Sequence, residues 1–207
     1  LSGTWTSLGQ SVAADVMSTL GVPGGSSFSV LCEKALQRRR EEASRVLLDE
    51  IKRGNVHFVP QDVDPVVEMI LRYGRAVEQG TARRNLRALA ALIVDLKRRD
   101  ALHAEEFHRW AGVLSDLTRD ELFAVALGYR ISLEEPQDDP NEKFWPRFEA
   151  EMKAQGIVAG EIAAVSSALA RFGLLLPKSA WGGIVYVPSP RLRELGFLAQ
   201  MEPMGVS

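Results

Sequence analysis

Cysteine is nearly absent from this chain. One residue in 207, Cys32, excludes an internal disulfide, paired-cysteine metal sites and dithiol redox chemistry. A chain of this length buries roughly 70% of its unfolded surface, so it folds without such staples. The lone thiol fits a reducing compartment. Histidine is almost as scarce, at three residues. His57 falls in a loop, and His103 and His108 are five apart, about 140° around a helix axis, which is the wrong spacing for two ligands on one face. No long apolar run is present either. Val16 to Cys32 is uncharged, but Gly21, Pro23, Gly24, Gly25 and several serines break it, so it does not read as a spanning helix. The Gly-x-Ser-x-Gly elbow of hydrolases and the phosphate loop of nucleotide enzymes are missing. Gly21 to Ser27 lacks the lysine and the preceding strand of a phosphate loop, and reads as a hinge.

Excess charge of one sign is lacking too. The net charge of −2 gives no overall pull toward nucleic acid or anionic lipid. Between Glu33 and Arg109 there are 16 Lys and Arg against 13 Asp and Glu; from Trp110 onward there are 9 against 13. The front half is mildly basic and the back half acidic. The chain opens on Leu1-Ser2-Gly3 without an initiating Met, which points to a missing natural start or an expression remnant.

What is present is amphipathic helix, and the expected fold is mainly α: a multi-helix bundle with a small α+β part at the end. Trp5, Leu8, Val12, Val16 and Leu20 recur at helical spacing. A long helix is expected over 27–53, with Phe28, Leu31, Cys32, Ala35, Leu36, Val46, Leu47 and Ile51 inward and the polar run Arg38 to Glu42 in water. Cys32 on that stripe behaves as a small hydrophobe, not a nucleophile. Val56 to Gln61 is a loop or edge strand. Asp64-Pro65 opens the next helix, with Val66, Val67, Ile70, Leu71 and Val77 facing the core. Gly80-Thr81 closes it and caps a helix over 82–99, which carries Leu86, Leu89, Ala90, Ile93 and Leu96. Asn85 lies near that inner face; a half-exposed place in the first turn is favoured over a hydrogen bond across the bundle. A shorter helix over 105–114 turns Phe107, Trp110, Ala111 and Leu114 inward. Thr118-Arg119-Asp120-Glu121 is a capping box that opens a helix to about Leu133.

The acid- and proline-rich run Glu134 to Asn141 marks a boundary, giving a bundle over 1–133 and a tail over 134–207. Glu134, Glu135, Asp138 and Asp139 read as an acidic linker rather than a cation site. Two further helices, over 142–155 and 160–172, precede a change of period. Leu174 to Leu176 and Ile184 to Val187 form a β-hairpin with a long tip from Pro177 to Gly183. Ser189-Pro190 caps a last helix to about Gln200. The order helix, hairpin, helix, together with Ala168-Leu169-Ala170-Arg171-Phe172-Gly173-Leu174-Leu175, resembles the exit of a winged-helix module from its third helix into its wing. The resemblance covers about 50 to 70 residues.

A winged helix that reads DNA needs a basic recognition helix and wing. Here Glu161 opens the helix, Arg171 closes it, and Lys178 is the only cation on the wing. Protein docking is therefore expected, with the mildly basic front half favouring contact with the acidic tail. Candidate partner-binding residues are Arg83, Arg84 and Arg87, suited to clamp an anion, and Lys178, Trp181 and Tyr186 on the wing. The expectation is a non-enzymatic, bacterial-type cytoplasmic protein with a regulatory or adaptor role, no cofactor and no metal. A DNA-binding regulator is the alternative. Membrane activity through the first 36 residues, or an all-helical enzyme whose site converges only in space, ranks lower.

Overall fold

A computed structural model describes residues 25–134, 140–181 and 183–199, the side chains of 25–32 and 140–142 excepted. The expected helix over Trp5 to Leu20, the Phe28, Leu31 and Cys32 side chains, and the acids Glu135, Asp138 and Asp139 lie outside it. Eight α-helices and one hairpin follow in order among the described residues. They are α1 (Gly25–Gly54), α2 (Val63–Glu78), α3 (Arg83–Arg98), α4 (Ala104–Asp116), α5 (Arg119–Glu134), α6 (Pro140–Ala154), α7 (Ala159–Arg171), β1 (Leu175–Ala180), β2 (Gly183–Pro188) and α8 (Pro190–Leu198). The fold is mainly α with a small α+β part at its end. Two compact units divide the chain, residues 1–45 and 46–207.

In the first unit, the Arg38 to Glu42 run of α1 is exposed, as its charge demands. All that follows concerns the second unit. There α3 is the central helix. Ala88 to Leu96 is buried without interruption, so its neighbours close on every side rather than on one stripe. Helices α2 and α4 pack on it, and α8 reaches it from the tail. Gly54, the last residue of α1, lies where any side chain would run into Val94 of α3, and its carbonyl accepts hydrogen bonds from Arg98 Nη2 (3.0 Å) and Nε (3.2 Å).

Local chemistry sets the ends. Thr118 N donates to Glu121 Oε2 (2.7 Å) and Glu121 N to Thr118 Oγ1 (3.3 Å), which is the expected capping box. Ser189 Oγ accepts from Leu192 N (3.2 Å) and donates to the Gly173 carbonyl (2.6 Å), so the α8 cap also ties down the turn after α7. Gly80 has φ +83°, the left-handed close of α2. The next cap is Ala82 rather than Thr81, and α3 starts one residue later than its sequence implies.

Four further expectations are corrected. Helix α2 starts before Asp64: a 3₁₀ turn over Pro60–Asp62 leads into it. There the Asp62 carboxylate accepts from Val59 N (2.7 Å) and pairs with Lys97 (2.8 Å), contacts that the more exposed Asp64 does not make. The α2 core face is Met69, Tyr73, Ala76 and Val77, while Val67, Ile70 and Leu71 face water. The helix carries two apolar faces about a third of a turn apart, and the core takes the one with Met69 and Tyr73. Asn85 is buried, and its Nδ2 donates at 2.8 Å to the carbonyls of both Leu114 and Leu117. These are orphan acceptors at the C-terminus of α4, which no helical N–H reaches. Finally, the hairpin tip is short. Pairing runs from Leu175↔Pro188 to Ala180↔Gly183, leaving a two-residue loop at 181–182. Gly183 at φ +137° relieves the tight turn. Pro177 is tolerated because each strand of a two-stranded ribbon has one free edge.

Candidate docking site

The tail is built on an aromatic base. Phe144 and Phe148 of α6 are buried and stack at 5.5 Å between centroids. Trp145 lies 5.8 Å from Phe148 and 5.3 Å from Tyr186 of β2. The Tyr186 hydroxyl shares a 2.8 Å hydrogen bond with Ser167 Oγ of α7. Tyr186 therefore anchors the hairpin through ring packing and its one polar atom. Helices α6 and α7 meet across the turn 155–158, where Gly156 has φ +84°. Helix α5 packs on α6, α7 and α8, and Glu134 and Glu151 hold Arg147 and Arg130 across the α5–α6 seam.

Beyond this base the hairpin projects. Leu175, Tyr186 and Val187 are buried at its root, while Leu176 to Trp181, Gly183 and Ile184 are exposed. Trp181 sits at the tip with its full surface in water, at 108% relative exposure. Alternation puts Ile184 (63% exposed) on the face of Tyr186, one step beyond the anchored part. Lys178 shares the opposite face with Leu176. The α7 surface next to the hairpin offers Ala163, Ala164 and Ser167, with Glu161 and Arg171 at its ends.

The arginines on α3 lie elsewhere. Arg87 Nε pairs at 2.8 Å with Glu50, a buried carboxylate that also holds Arg53 at 2.9 Å. Tyr73 lies close enough that burial first, and then the Glu50 charge, push its phenol above the usual range. Arg87 thus neutralises an internal acid. Arg83 and Arg84 are exposed on the same helix. The six residues picked from sequence accordingly fall into two places, α3 and the hairpin, and Tyr186 differs from Lys178 and Trp181 in being buried.

Sequence reading missed a second exposed apolar surface, Val59, Val63, Val67, Ile70 and Leu71 on and before α2. Its signal was the surplus of apolar positions on that helix, more than one face can bury. Among the described residues, no group of three or more His, Cys, Asp or Glu stands close enough to hold a metal ion, and no helix is long and apolar enough to cross a membrane. Compared with protein-family profiles, curated proteins and solved structures, the chain matches none.

Proposed function

We propose that this protein acts through protein–protein contact, in a regulatory or adaptor role within a bacterial-type cytoplasm, and that the projecting hairpin is its docking element. The observation that carries this reading is Trp181. A fully solvated indole at the end of an anchored ribbon has large apolar area to bury and few rotamers to lose, the profile of an interface hot spot. Ile184 and Leu176 extend the patch along both faces, and Lys178 supplies a rim charge. The surrounding α7 surface of small side chains supports close approach by a folded partner. The lone cysteine is what supports the cytoplasm.

The test is affinity capture with the intact chain beside Trp181→Ala and Ile184→Ser. A partner held by the parent protein and lost from both variants, with unchanged circular dichroism, is the expected result. Equal capture by all three ends the reading.

The order of two helices followed by a hairpin and a last helix favours a second reading, a DNA-binding regulator. It predicts salt-sensitive duplex binding that Arg171→Glu and Lys178→Glu weaken. Absence of binding at low salt, where the electrostatic attraction is largest, removes it.

A further inference from the structure

We propose that the outer face of α2 is a self-association surface, on which a second copy of this chain docks its own α2 antiparallel about a two-fold axis. The inference is independent of the hairpin.

Val63 (55% exposed), Val67, Ile70 and Leu71 (60% exposed) form one continuous strip along α2, with Val59 just before it. At about 100° per residue, Val63, Val67, Ile70, Leu71 and Gly74 fall within roughly 100° of arc, the width of one helix-packing face. Gly74 lies in the strip with open space over its Cα, so a neighbouring backbone meets no side chain there. The neighbouring apolar face, about a third of a turn away, is already used, since Met69, Tyr73, Ala76 and Val77 are in the core.

Charge selects the occupant. Asp64 and Glu68 flank the strip in its first half, and Arg75 flanks it in the second, all exposed. The same spacing puts Asp64, Glu68 and Arg75 on the same flank, within about 40° of one another. In an antiparallel pair, each flank faces the corresponding flank of the other helix, run in the opposite sense. A two-fold axis near residue 69 therefore brings Asp64 of each copy to Arg75 of the other. It brings Val67 against Ile70 and Leu71 of the second copy, and Val63 against its Gly74. Asp64 and Arg75 make the strip self-complementary toward its ends, as an isologous interface requires, while the two Glu68 carboxylates come near each other at the axis beside the apolar centre. A parallel pair would set the charged flank of each copy against the core-side flank of the other, leaving Asp64 and Arg75 without this match. Glu68 also lies 3.8 Å from His108 of α4.

One face of a 16-residue helix offers less than the ~800 Å² per partner of a standard interface. The association is accordingly concentration-dependent. Sedimentation equilibrium of the full chain across about 1 to 100 µM, the range of micromolar dissociation constants, is expected to show the mass rising from 22.8 kDa toward twice that value. Val67→Asp and Leu71→Asp each abolish the rise without loss of helicity, because both side chains are exposed. Asp64→Arg alone weakens association at least tenfold, and so does Arg75→Asp alone. The double variant Asp64→Arg with Arg75→Asp restores it, which a non-specific apolar contact does not predict. Trp181→Ala leaves the mass curve unchanged, so failure here and failure of the hairpin as a docking element are separable. A parent chain that stays monomeric throughout overturns the proposal. So does a dimer that survives Val67→Asp, or a charge exchange that rescues nothing.

Discussion

Asn85 illustrates how one side chain joins two elements. Its amide satisfies two α4 carbonyls that helical geometry leaves without donors. Asn85→Ala is expected to cost about 2–4 kcal/mol in urea unfolding, since both buried acceptors are then unpaired. Asn85→Asp is expected to cost more than Ala although it is isosteric, because an ionised carboxylate only accepts and would face two carbonyl oxygens. The reverse order would refute this role. Two carboxylates add opposite pH dependences. The Lys97 ammonium first, and the Val59 amide second, hold Asp62 below its ordinary range. Its contribution is complete above the unfolded-state value and is lost as pH falls through the lower folded one. Burial pushes Asp95 above its ordinary range against the pull of Arg99 and Arg98. Its contribution is complete below the unfolded-state value and fades as pH rises through the folded one. Chemical denaturation from pH 3 to 7 should therefore show Asp62→Asn flattening the acid loss. Asp95→Asn should gain on the parent toward neutrality, with the gap closing in acid.

At the scale of elements, α5 and α8 cross closely. A side chain at Gly196 would overlap the Tyr129 ring. Gly196→Ala is expected to destabilise by about 1–3 kcal/mol, as overpacking does, and to lower the thermal midpoint measurably. An unchanged midpoint would mean that the crossing can open. Helix ends and faces were legible in the sequence where one signal acted alone. The Thr118–Glu121 box, the Ser189-Pro190 cap and the inward Phe107, Trp110, Ala111 and Leu114 lie where patterning put them. Reading failed where two local signals competed. Asp62 and Asp64 both suit a helix start, and only Lys97, 35 positions after Asp62 in the chain, decides between them. Helix α2 has two apolar faces, and periodicity cannot say which one the core takes. The two-residue hairpin loop was obscured by Pro177, which looks like a turn but sits in an outer strand. On the hairpin, the exposed Trp181 and Lys178 were visible in the sequence; the depth of Tyr186 depends on Trp145 and Ser167 from two other helices, which no linear pattern encodes.

Taken as a whole, the unit over 46–207 spends its apolar side chains unevenly. Helix α3 takes neighbours on every side, while α2 and the hairpin leave theirs in water. Local opening follows burial: exposed elements fray at little cost, and amides in the most enclosed element exchange only when everything around them lets go. Deuterium uptake should thus be fast at the hairpin tip. Between Ala88 and Leu96 it should be slowest, at a rate set by the folding equilibrium of the entire unit. A label confined to that one segment then serves as a stability gauge, against which any effector that engages the periphery can be measured without touching it.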